Sequence, residues 1–87
     1  MKRIMKPIRI VAWSDEEGLW TPVRFQVEDS EEARVTIRVE KVLLRSEERT
    51  AGQRVINFRC RSTVDDRIRQ YELCYELSTC RWYLSRW

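Results

Sequence analysis

The chain has 87 residues, of which 43% are apolar and 36% charged, and a net charge of +3. That length suits one domain with a small core, and no run approaches the roughly 20 apolar residues of a membrane span. Histidine is absent, which removes the commonest general base and metal ligand. Of the 17 basic residues 14 are arginine, so the positive charge comes mostly as forked guanidinium groups.

The opening Met1-Lys2-Arg3-Ile4-Met5-Lys6-Pro7 is basic, but no apolar stretch follows it. It does not read as a secretory signal. A first strand is expected over residues 8–13. Pro7 is acceptable at its start, where no ladder donor is needed. Ser14-Asp15-Glu16-Glu17-Gly18 reads as a hairpin loop. The second strand runs over residues 19–28, with Val23, Phe25 and Val27 alternating with Arg24, Gln26 and Glu28. Pro22 points to an edge strand or a bulge. Residues 29–32 form a polar turn.

A third strand begins near Arg34, with Val35, Ile37 and Val39 inward. The phase then breaks, because Val42 and Leu44 have the opposite parity. A bulge near Glu40-Lys41 would keep the apolar face continuous. A helix over residues 31–49 competes, since Val35, Val39 and Val42 would share a helical face behind Glu31-Glu32. The β-branched Val35-Thr36-Ile37 and the clean alternation favour a strand. Residues 46–52 read as the longest loop.

The last third is a three-stranded meander over residues 54–87. Two polar breaks, Asp65-Asp66 and Ser78-Thr79, set its register if each is a two-residue turn. Cys60 then faces Tyr71, Phe58 faces Leu73 and Ile56 faces Tyr75. Across the second break Leu77 faces Cys80, Tyr75 faces Trp82 and Leu73 faces Leu84. The other face pairs Arg59 with Glu72, Arg61 with Gln70 and Glu76 with Arg81, complementary cross-strand partners. A type I′ turn prefers glycine second, so Asp65-Asp66 is the weak link in this register.

The expected fold is all-β: about six antiparallel strands in one domain, curled into a small open barrel or a strongly twisted sheet, because a flat sheet would leave its apolar face wet. Three cysteines do not make a disulfide framework. Cys60 and Cys80 share a face but stand about 10 Å apart, two strand spacings, and Cys74 points away. Reduced thiols in a cytoplasmic protein are the expectation.

Catalysis has little to stand on. The sequence has no Gly-rich phosphate loop, nucleophile elbow or CxxC pair. Glu72 and Glu76 share a face but lie opposite arginines, which reads as ion pairing. The chain is therefore expected to bind rather than catalyse, with no cofactor and no metal. The leading expectation is a protein-interaction or homo-oligomeric module, such as a homodimer, using Trp13, Trp20 and Trp87; Trp and Arg are enriched at interface hot spots. The alternative is a nucleic-acid-binding accessory protein in which Arg59, Arg61 and Arg81 hold phosphates and Tyr83 stacks on bases. A third reading is a small-molecule carrier with a cavity lined by Tyr71, Tyr75 and Trp82. No membrane partner is expected.

The chain also resembles a group of small uncharacterised bacterial proteins. The resemblance rests on Pro7-Ile8-Arg9-Ile10, on Asp15-Glu16-Glu17-Gly18 followed by Pro22-Val23-Arg24-Phe25, and on Tyr71-Glu72-Leu73-Cys74-Tyr75 with Arg81-Trp82-Tyr83-Leu84. More distantly it is similar to domains of unknown function ending in an aromatic-Glu-Leu strand and a Trp-x-Leu strand, some encoded near translesion DNA polymerases. The resemblance implies a compact β-domain and points to DNA-damage tolerance. It implies no active site.

Overall fold

A computed structural model describes residues 1–87, Thr50 by its backbone alone. The chain forms eight strands: β1 (Arg3–Pro7), β2 (Arg9–Ser14), β3 (Trp20–Glu28), β4 (Arg34–Arg38), β5 (Lys41–Thr50), β6 (Gln53–Val64), β7 (Arg67–Glu76) and β8 (Arg81–Arg86). They make two antiparallel sheets. The larger has the order β1-β8-β7-β6-β5 and the smaller β2-β3-β4. The expected count of six is corrected to eight, and the apolar face is covered by a second sheet instead of by barrel closure. Residues 31–49 hold no helix.

The C-terminal meander has the register its alternation demands. Cys60 pairs with Tyr71, Phe58 with Leu73 and Ile56 with Tyr75, and Tyr75 pairs with Trp82 and Leu73 with Leu84. Asp65 and Asp66 both take positive φ, 51° and 61°, so they make the two-residue turn without a glycine. The second connection is longer than expected. Leu77 to Cys80 form a four-residue loop closed by a 2.9 Å bond from the Cys80 N–H to the Glu76 carbonyl, and Leu77 and Cys80 lie outside the ladder.

The expected loop over residues 46–52 is instead the tip of a long hairpin. β5 continues to Thr50, Ala51 and Gly52 take φ of 51° and 80° as the turn, and the ladder runs from Lys41↔Arg61 to Thr50↔Gln53. Polar Ser46-Glu47-Glu48-Arg49 looks loop-like because both faces of this strand meet water. An ion pair between Glu47 and Arg54 ties its two sides. Strand β1 was also unexpected. It lies before Ile8, and Pro7 ends it instead of starting the next strand.

The parity break after Val39 marks the passage from one sheet to the other. The Val39 N–H bonds the Val23 carbonyl in the small sheet at 2.9 Å, and the next N–H, of Glu40, bonds Arg61 in the large sheet at 3.1 Å. Ile8 makes the matching corner: its N–H bonds the Trp82 carbonyl while Arg9 already pairs with Gln26. Strands that bend from sheet to sheet form such corners. Pro22 lies in the central strand of the small sheet, not on an edge. Val11 pairs with Arg24 and Ala12 with Pro22, so a bulge at Val23 absorbs the proline. At the chain ends, Lys2 and Trp87 exchange two backbone bonds of 2.8 Å.

The core lies between the sheets. Phe25 and Ile37 from the small sheet pack with Phe58, Cys60, Tyr71, Leu73, Trp82 and Leu84 from the large one. Phe58 stacks on Trp82 at 5.3 Å, Tyr75 sits 4.8 Å from Trp82, and Phe25 lies 5.5 Å from Tyr71. These rings fill the space that a carrier cavity would need. Arg45 covers the open end, its guanidinium 5.3 Å above the Phe58 ring and bonded to the Trp20 carbonyl. Ser62, fully buried, donates to the Arg38 carbonyl at 2.6 Å. Its single proton is thereby used, so Tyr71 must donate its own to the Ser62 oxygen.

This relay sets an order among substitutions. Tyr71→Phe removes one hydrogen bond and leaves the Ser62–Arg38 bond intact, for a loss of about 1 kcal/mol. Ser62→Ala strands a buried hydroxyl and a carbonyl, and is expected to lose more, about 1–3 kcal/mol. Urea denaturation of both variants checks the order. Asp66→Gly relieves an L-residue held in the left-handed region and is expected to stabilise by up to about 1 kcal/mol, read as a rise in the thermal midpoint.

Candidate functional site

Each sheet presents one outer face to water, and the two differ in charge. On the large sheet Arg59, Arg61, Arg81 and Tyr83 do share a face, paired with Glu72, Gln70, Glu76 and Cys74. Carboxylates accompany them. Arg59 lies 4.0 Å from Glu72. Glu76 accepts the Thr79 hydroxyl at 2.7 Å, and Glu48 reaches the same surface from β5, lining a cleft with Glu72, Cys74 and Glu76. Tyr83 is half-buried and pairs with Pro7 on its free side, which leaves little open ring for a base. The lining of that cleft sets the Glu48, Glu72 and Glu76 carboxylates against two guanidinium groups, Arg3 and Arg86.

The small sheet's outer face is different. Inward placement of Ile10, Phe25 and Ile37, which pair with one another across the three strands, forces their neighbours outward. Val11, Arg24 and Arg38 then form one cross-strand row and Arg9, Gln26 and Thr36 the next, with Glu28 and Arg34 beyond them. Gln26 donates to the Thr36 hydroxyl at 3.2 Å. On the other side of the bulge Trp13 pairs with Thr21 and is 56% exposed. Among the described residues none of Arg9, Arg24, Arg34 and Arg38 comes within ion-pair distance of a carboxylate. At the far end of this face a cleft of about 390 Å³ opens between the bend at Ile8 and the turn after β3.

The three tryptophans expected at an interface separate. Trp20 turns inward, 5.9 Å from Tyr75 and 6.4 Å from Trp82. Trp87 packs 5.4 Å from Tyr71 beneath the Arg69 guanidinium, which is 4.0 Å from its ring. Trp13 remains on the surface, so Trp13 and Trp20 do not stack across their loop. The arginine row escaped the sequence reading because Arg9, Arg24 and Arg38 are far apart in the chain. Residues 1–44 also sum to neutrality, since eight acidic residues, most of them in connections such as Asp15-Glu16-Glu17 and Glu31-Glu32, balance eight basic ones. The usable signal was the segregation of acids into turns and of arginines onto strands.

The cysteines are free and separate: Cys60 and Cys74 buried, Cys80 exposed. Burial, with Glu72 adding to it, pushes the Cys60 thiol up to about 12. Burial followed by Glu76, Glu72 and Glu48 pushes Cys74 up to about 11. No group of His, Cys, Asp and Glu among the described residues is arranged to hold a metal ion. No family model matches the chain, and neither does a curated protein or a solved structure.

These thiols give a direct check. A thiol reagent at about pH 7.5 is expected to modify Cys80 alone in the folded protein and all three cysteines after unfolding. Cys60 and Cys74 stay protonated in the folded chain above their ordinary value of 9.0, whereas the unfolded chain ionises them near it. Their contribution to stability is thus intact below pH 9 and falls as the pH climbs toward 11 and 12. Denaturation midpoints measured across that range test the direction.

Proposed function

We propose that this protein binds nucleic acid on the outer face of its three-stranded sheet. The observation that carries the reading is the set of unpaired arginines Arg9, Arg24, Arg34 and Arg38 on one β-surface with an exposed Trp13. A guanidinium fork matches phosphate geometry, and an indole on an open sheet offers a base a stacking platform worth about 1–3 kcal/mol. Glu28 is the one carboxylate in those cross-strand rows. No catalytic residue is assigned: the reading is of a binding module. The resemblance to domains encoded near translesion polymerases makes DNA the first nucleic acid to try.

The interaction-module reading is the alternative, with less to draw on. In a homodimer closed over the apolar sheet face, a partner would meet a face that the small sheet already covers. The reading also draws on Trp13, Trp20 and Trp87, of which Trp13 is the exposed one. Placing the contact on Arg59, Arg61, Arg81 and Tyr83 is less favourable because Glu72 and Glu76 stand among them.

Fluorescence anisotropy with labelled single- and double-stranded oligonucleotides tests this. Four phosphate contacts to a single strand predict roughly a 50-fold loss of affinity between about 50 and about 200 mM salt. Arg24→Ala/Arg38→Ala should weaken binding and flatten that salt slope, and Trp13→Ala should weaken it with the slope kept. Arg59→Ala/Arg61→Ala should leave both unchanged. Loss of binding in the Arg59/Arg61 variant alone would move the contact to the large sheet. No binding at the lower salt, with salt-insensitive dimerisation in sedimentation that Trp13→Ala abolishes, would replace this reading by self-association.

A further inference from the structure

Building on that reading, we propose that the cleft at the end of the small sheet is a seat for the terminal phosphate of a nucleic-acid strand. The outer face runs from Trp13 past Arg24 and Arg38 to Arg9, and the four residue steps from Trp13 to Arg9 span about 13 Å. Beyond Arg9 the chain bends at Ile8 toward the large sheet. Lys6 and Pro7, already on β1, line the cleft together with Arg9 and Arg34. A strand lying along the arginine rows therefore reaches this half-open cleft, where its end would sit.

The charges there suit a phosphate monoester. Lys6, Arg9 and Arg34 are three cations from three different strands around one cleft of about 390 Å³, room for a phosphate with its sugar. Two acidic residues also line it, which sets three cations against two carboxylates, and the Asp29 carboxylate is engaged by its own turn. Asp29 Oδ1 accepts the N–H groups of Glu31 at 2.9 Å and Ala33 at 3.0 Å, closing the turn after β3. The Glu28 carbonyl accepts the Lys6 ammonium at 3.2 Å, which holds Lys6 at the cleft with two more protons to give. Among the described residues the Glu28 carboxylate pairs with neither Lys6 nor Arg34. A terminal monoester carries about −1.5 to −2 charges at neutral pH, against one for each internal phosphodiester, so a three-cation seat discriminates for the end of the strand.

The test compares one single-stranded oligonucleotide in three forms: 5′-phosphorylated, 3′-phosphorylated and unphosphorylated, by anisotropy competition at about 50 mM salt. One of the two phosphorylated forms is expected to compete at least about tenfold better than the unphosphorylated strand. Lys6→Ala/Arg34→Ala should abolish that preference, while the unphosphorylated strand loses only the single face contact of Arg34, up to about fivefold. Both residues are exposed, and an unchanged thermal midpoint confirms that the variant folds. Arg24→Ala/Arg38→Ala should weaken all three forms together. Equal competition by all three forms overturns the phosphate seat and leaves the face reading standing. A preference that survives in Lys6→Ala/Arg34→Ala also overturns the seat. If no form binds at all, the face reading fails and the seat falls with it.

Discussion

A hydroxyl relay buried between the two sheets is the constraint on which much of this structure depends. Tyr71 donates to Ser62, and Ser62 donates to the Arg38 carbonyl. Arg38 ends β4, just before the chain crosses to the large sheet. The relay therefore joins the middle of the larger sheet to the corner where the smaller one turns into it. Burial pushes the Tyr71 hydroxyl well above its ordinary titration range, and the Ser62 bond only partly opposes this. The tyrosine thus stays a proton donor beyond the pH at which a free phenol ionises, and the relay keeps one direction there. With the carbonyl of Arg38 held inward, its side chain is left on the opposite surface, beside Arg24.

That coupling explains why the two outer faces differ. The larger sheet draws its outer residues from long consecutive hairpins, where Arg59, Arg61 and Arg81 have Glu72, Gln70 and Glu76 facing them. The smaller sheet is built from strands bent out of their neighbours, and its acids are displaced into the connecting turns. Asp15 and Asp29 show what the acids do there. Each accepts two backbone N–H groups across its own loop, fixing the turn instead of neutralising the arginines. The basic face is thus a by-product of how the turns are capped.

The C-terminal meander was legible in the sequence because three adjacent strands with short connections constrain one another. One parity error would have put Phe58, Leu73 and Trp82 in water. Strand β1 was not legible, since it has five residues, a register shift, and a partner at the other end of the chain. The tip of β5 was hidden because a strand exposed on both sides carries no alternation. The parity change after Val39 was visible, but a bulge within a sheet and a passage between sheets leave the same mark. For the site, the residue types and the β-surface were foreseen and the sheet was not, because Arg9, Arg24 and Arg38 meet only through three strand pairings.

The strand order has a kinetic consequence. β8 lies between β7 and β1, so the first strand of the chain has no ladder to join until the last one is in place. The β5–β6–β7 hairpins can close locally, while the β1–β8 pairing spans nearly the whole chain and carries the largest loop-closure entropy. Folding should thus proceed from the middle of the sequence outward, with β1 docking last. The corner at Ile8, and with it the wall that Lys6 and Pro7 give the cleft, would be the final part of the molecule to acquire its shape.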